Sequence, residues 1–261
     1  MSRIQTTFDA LRANHKKALI TFIMGGDPSL EHSQNILNAL PEAGADLIEI
    51  GMPFTDPMAD GPSIQAAGLR ALEHDTNIAD IFTLVKNFRE TNKNTPIILM
   101  GYFNPIFQYG CDEFVTDAVQ SGIDGLIIVD LPPEEDSELR AAFDTYDLAL
   151  IRLATPTTDA QRLPKVVEGT KGFVYYVSMT GITGASFAQA KSVKEQVSAV
   201  RAASNLPVVV GFGVKTPERA REVAQDADGV VVGTAIVKSM HDQGLDDTLA
   251  FIRSLADGAH G

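Results

Sequence analysis

The stretch PVVVGFGV, residues 207 to 214, sets three valines in a row behind a proline and closes them with a glycine turn. A half-buried strand alternates apolar and polar residues, whereas an unbroken run suits a strand covered on both faces, as in a parallel sheet flanked by helices. The pattern returns at DGVVVGTA, residues 228 to 235, again leading into helical periodicity. Working back towards the N-terminus, comparable runs are ALITFI (18–23), DLIEI (46–50), PIILM (96–100), residues 124–129 within DGLIIVD, LALIRL (148–153) and GFVYYV (172–177). Helices are expected between them: from a Ser29 cap through Leu40, from Ser63 to His74, from Ile78 to Thr91, and after a GYFNPIF loop to about Ser121. Pro132 and Pro133 should open the next, and Thr158 or Asp159 should cap the one after strand five. Eight strand and helix alternations predict a TIM (β/α)8 barrel, with a doubly wound open sheet as the alternative. Ile4, Phe8 and Leu11 add an extra N-terminal amphipathic helix placed to plug one end.

Composition narrows the classes of function. The chain has 261 residues, 44% of them hydrophobic, and no linker, so a single domain over residues 1–261 is expected. A net charge of -13 repels nucleic acid and anionic membrane, and any phosphate must be held locally. One cysteine, Cys111, excludes an internal disulfide framework. The N-terminus lacks a basic region followed by an apolar core, and no stretch approaches a membrane span; a cytoplasmic location is expected.

Within DLIEIGMPFTDPMADGP (46–62), Glu49 interrupts an aliphatic strand, where an ionised carboxylate costs several kcal/mol unless compensated. Side chains alternate along a strand, so Glu49 shares a face with Leu47; if Ile48 and Ile50 meet the helices, Glu49 points into the barrel mouth. Apolar surroundings there would raise its pKa towards that of a general acid or base. A structural alternative pairs it with Arg152. Asp56 and Asp60 follow on a proline-stiffened loop; loop carboxylates often serve only turns, but Asp60, beside Gly61 and Pro62, could be aimed back at the mouth.

GFG (211–213) after strand seven and Gly233–Thr234 after strand eight offer backbone N–H groups, a helix N-terminus and a hydroxyl at the recurrent phosphate site of this fold. The loop SMTGITGA (178–185) could be a lid adding the Gly184 N–H. Phe22, Met100, Ile127, Val129, Leu153, Tyr175, Phe212 and Val231 are candidates for an apolar slot, although most would be core in any barrel. The five histidines avoid strand ends, which argues against a histidine metal site, and apart from Lys215 no lysine sits where a Schiff-base aldolase needs one.

These residues resemble the tryptophan synthase alpha subunit family over nearly the whole chain: GDP after strand one, IEIGMPFTDPMADGPSIQ, YYVSMTGITGA, GFGVKTPE and VVGTAIV. The resemblance implies a lyase that cleaves indole-3-glycerol phosphate to indole and glyceraldehyde 3-phosphate by a retro-aldol route. It implies Glu49 as general acid/base and Asp60 as the carboxylate on the indole N–H. Gly184, Gly213, Gly233 and Thr234 would bind phosphate, and Phe22, Met100, Tyr175, Thr183 and Phe212 would line the substrate pocket, to which the apolar slot adds Ile127 and Val231. It also implies a beta subunit partner in an alpha2beta2 hetero-tetramer, facing Pro53, Asp56, Pro57, Asn104 and Phe107. No metal or cofactor is expected in this chain, pyridoxal phosphate belonging to the beta subunit. Met179 and Thr234 depart from relatives with Arg and Ser. Competing readings are a stand-alone indole-glycerol-phosphate lyase, a non-catalytic activator of a beta subunit, and another phosphate-binding barrel.

Overall fold

The computed structural model describes residues 2–143, 145–178, 188–211 and 213–261. Helix α1 (Arg3–Ala13) is started by Ser2, whose hydroxyl accepts the Gln5 N–H. Then β1 (Ala18–Met24), α2 (Leu30–Ala39), β2 (Leu47–Gly51), α3 (Pro62–Leu72), α4 (Ile78–Thr91) and β3 (Ile97–Gly101) follow. After α5 (Phe103–Tyr109) and α6 (Cys111–Ser121) come β4 (Gly125–Ile128), α7 (Ser137–Phe143), β5 (Ala149–Leu150) and β6 (Arg152–Ala154). The chain ends with α8 (Leu163–Val167), β7 (Val174–Val177), α9 (Ala188–Ser204), β8 (Val208–Gly211), α10 (Pro217–Ala224), β9 (Gly229–Val232), α11 (Thr234–Gln243) and α12 (Leu245–His260).

All neighbouring strands pair in parallel in the order β5-β4-β3-β2-β1-β9-β8-β7-β6. Only Ile151 separates β5 from β6, and its N–H bonds Leu126 C=O at 2.9 Å, so the two edges are halves of one strand and the sheet closes as a TIM barrel. The expected fifth strand is this divided one; β7, β8 and β9 are the expected sixth, seventh and eighth.

Alternation sorts the core into two layers. Ile20, Leu47, Ile98, Ile127, Ile151, Phe173, Val209 and Val231 fill the barrel interior, closed at one end by Ile4 and Phe8 of α1. The opposite faces, including Ile48, Ile50, Ile97 and Leu99, pack under the helices. Three aspartates stitch the end of the barrel where strands begin. Asp46 accepts the Leu19 N–H at 2.7 Å and meets His260 at 2.8 Å. Asp124 takes the Ile97 N–H, Arg3 and Arg89, each at 2.8 Å, and Asp228 takes the Val208 N–H and Arg201.

Two local expectations are corrected. Pro132 and Pro133 do not open a helix; they lie in a turn closed by the Glu135 N–H on the Pro132 carbonyl, and α7 begins only after Asp136, which binds Arg140 and Arg152. GYFNPIF is not a loop throughout: α5 starts at Phe103, whose N–H is taken by the Asp130 carboxylate, and Pro105 fits the first turn where no N–H is needed. Asn77 and Asp80 form a reciprocal capping box on α4. Asn77→Ala should lower stability by about 1 kcal/mol, read by chemical denaturation, because two amides lose their acceptor.

Candidate active site

β2 delivers Glu49 to the inner face, in register with Phe22 on β1 and Ile98 on β3. Its side chain is 1% exposed and its Oε1 has no hydrogen-bond partner among the described residues. Loss of solvent, with no compensating charge, pushes the carboxyl up to about 8. The pairing with Arg152 does not occur: that guanidinium turns outward to Asp136 and the Leu131 carbonyl. Glu49 is therefore a neutral acid at neutral pH that a small change in surroundings would ionise.

Tyr175 on β7 lies next to it. Burial raises the phenol well above its ordinary range, and the Glu49 charge adds to the effect. The hydroxyl rests against the backbone of Gly211, which has no room for a side chain there. Above the barrel interior, Met100, Val129, Leu153 and Tyr175 are partly exposed, forming the apolar rim of the mouth. Phe22 packs instead with Met24, Ile64 and Val237, and Met100 touches both groups. Ile127 and Val231 lie deeper, among the buried interior residues.

Asp60 stands before Gly61, which starts α3. Burial raises its carboxyl, and a hydrogen bond from the Tyr102 hydroxyl opposes that rise. Tyr102 also accepts the Ala59 N–H at 2.9 Å, and its own phenol is pushed up to about 12, mainly by burial. Hydrophobic periodicity does not mark it. Its one available signal was its place directly after strand three. Arg70 of α3 grips Asp27, in the loop after β1, with bonds of 2.6 and 2.8 Å, which ties α3 to the rim.

Gly213 has φ +75 in the turn after β8, and Gly233 precedes α11 without a side-chain cap. The first amides of α11, beginning with Thr234, thus face the mouth beside Phe22 with the positive end of the helix. Thr183, Gly184 and Phe212, like Met179, lie outside the described residues. Pro53 and Pro57 are half-buried while Asp56 and Asn104 are exposed, on segments joined by the Phe54–Tyr102 ring contact at 5.3 Å. Beside them, Met58 is 79% and Phe107 50% exposed. Among the described residues no group of three His, Cys, Asp or Glu could hold a metal, and no helix is long and apolar enough to cross a membrane.

The sequence model of the family described as tryptophan synthase alpha chain matches residues 8–257. Tryptophan synthase subunit alpha from Legionella pneumophila is 41% identical, with a TM-score of 0.92, 99% of this chain and 98% of that one being covered. A structure from Aquifex aeolicus is 38% identical with full coverage of both chains and a TM-score of 0.92. A chain of tryptophan synthase from M. tuberculosis, in an open form, is 36% identical over 99% of each chain, with a TM-score of 0.91.

Proposed function

Because the chain belongs to the tryptophan synthase alpha chain family, and so to the lyases that cleave indole-3-glycerol phosphate, we propose that Glu49 is its general acid and base and Asp60 its indole-binding carboxylate. The observation that carries this reading is the buried, unpartnered Glu49 at the barrel mouth, held protonated by desolvation. Neutral Glu49 delivers its proton to C3 of the indole ring. Positive charge then develops on the ring nitrogen, where the Asp60 carboxylate accepts the N–H and offsets it. The glutamate, now ionised in an apolar site, takes the proton from the glycerol hydroxyl next to the scissile bond. The C–C bond breaks, its electrons restore the indole ring, and the hydroxyl carbon becomes the aldehyde of glyceraldehyde 3-phosphate. Glu49 ends as it began, so one group serves both steps.

Tyr102 is a positioning residue in this scheme: it holds both the 53–60 loop and the Asp60 carboxylate. The phosphate is assigned to Gly184, Gly213, Gly233 and Thr234, a reading supported by the uncapped start of α11. The indole ring is assigned to the slot of Phe22, Met100, Ile127, Tyr175, Thr183, Phe212 and Val231. Residues 1–261 act as one catalytic domain. The exposed Met58 and Phe107, with Pro53, Asp56, Pro57 and Asn104, support a beta subunit docking there, in an alpha2beta2 hetero-tetramer whose beta chains carry pyridoxal phosphate. A lone cysteine and a net charge of -13 fit the cytoplasm.

The test supplies indole-3-glycerol phosphate and follows indole release with and without a beta subunit. No release in either condition sinks the assignment. For the phosphate site, Gly213→Asp should raise KM by about tenfold, since a carboxylate there repels the phosphate and φ +75 disfavours a side chain. An unchanged KM counts against that assignment.

A further inference from the structure

The end of the barrel opposite the mouth carries a cleft of about 210 Å³ between the C-terminal turn of α1 and the start of β9. Half-buried Leu11 supplies the apolar wall, over the buried Phe8, and Arg12, His15, Lys16 and Lys17 ring it. Asp228, the acid at its edge, is already engaged by the Val208 N–H at 2.9 Å and by Arg201 at 3.0 and 3.1 Å. Of the cations, Arg12 meets Asp9 at 3.3 Å, while Lys16 and Lys17 form no ion pair among the described residues. In a chain of net charge -13 this is a local reversal of sign. Crowded like charges beside an apolar wall are relieved by an anion that also covers the wall.

We propose that this cleft is a second binding site, separate from the catalytic mouth, for a small aromatic carboxylate. Its carboxylate would lie between the Lys16 and Lys17 ammonium groups and its ring against Leu11. A compact anion such as acetate satisfies the charge but leaves the wall wet, which is why the aromatic class is favoured.

Benzoate is the probe, titrated at low salt into the full-length protein labelled with ¹⁵N, with acetate as the comparison. Amide shifts across Leu11–Lys17 should saturate at millimolar benzoate, in keeping with a ligand of about nine non-hydrogen atoms. Acetate should bind more weakly. The double variant Lys16→Gln/Lys17→Gln should weaken benzoate about tenfold, as expected of two partly desolvated ion pairs. Lys16→Arg/Lys17→Arg should retain binding, and both variants should cleave indole-3-glycerol phosphate at the wild-type rate. Shifts that fail to saturate, that centre on Glu49 and Gly51 instead, that are matched by acetate, or that persist undiminished in the Gln variant overturn the proposal.

Discussion

Glu49→Gln lowers the turnover of indole-3-glycerol phosphate at least ~10²-fold, the low end for losing a general acid and base, while substrate binding survives. Gln keeps the volume and the polarity of the group and loses only the proton, so a fall in turnover with KM held reports chemistry and not packing. Undiminished turnover would remove Glu49 from the mechanism. The same residue sets the pH dependence. The first step needs the neutral acid, so kcat/KM of wild type should fall as pH rises through about 8.

Stability follows with a definite sign. The Glu49 carboxyl is raised in the folded state, from 4.5 to about 8, so between those values the folded chain holds a proton that the unfolded chain has released. Wild type therefore loses stability relative to Glu49→Gln by about 1.4 kcal/mol per pH unit over that window, about 5 kcal/mol in all, and neither gains nor loses below it. Unfolding free energies of the two proteins at pH 5 and pH 8 test the slope. Parallel curves would mean that Glu49 is not desolvated as the structure has it.

Gly211→Ala should cost activity on a similar scale, about 10²-fold, without any change in a titrating group. A methyl group at Gly211 would overlap the Tyr175 hydroxyl and approach its Cζ to 2.6 Å. The ring must shift, and it lies beside Glu49 at the rim of the mouth. Displacements of about an ångström at reacting groups have effects of this order. Gly68→Ala on α3 is the control, because its new methyl meets only Met24 at 3.7 Å and it should retain full activity. Equal activity of the two variants would show that Tyr175 has room the structure does not give it.

Much of the barrel was legible because its signals are local and redundant. Continuous apolar runs such as Val208–Val210 and Val230–Val232 can hardly be anything but strands covered on both faces. Glu49 was legible for the opposite reason: it breaks such a run, and side-chain alternation put it with Leu47, on the inner face once Ile48 and Ile50 meet the helices. Tyr102 escaped notice because its role comes from a contact with Ala59 and Asp60 more than forty positions away, which no periodicity encodes. The prolines misled in both directions. At Pro132 a good helix opener lost to the buried Asp136–Arg152 pair, which fixes where α7 starts, and at Pro105 a presumed loop proline was absorbed into the first turn of α5. The division of strand five at Ile151 follows from closure, since one strand must pair with both ends of the sheet.

The aspartate stitches at the floor have a consequence for the mouth. In a parallel sheet of aliphatic residues, neighbouring strands can slide past one another by one position with little change in apolar burial, yet such a slip reverses every side chain. Asp46, three positions before Glu49, prevents it between β1 and β2: its N–H and carboxylate clasp both backbone groups of Leu19. One step out of alignment, Ile48 or Ile50 would occupy the mouth and the acid would be thrust among the helices. The carboxylate at the floor is thus the proofreader of the one at the mouth, and fidelity of alignment is the service it performs.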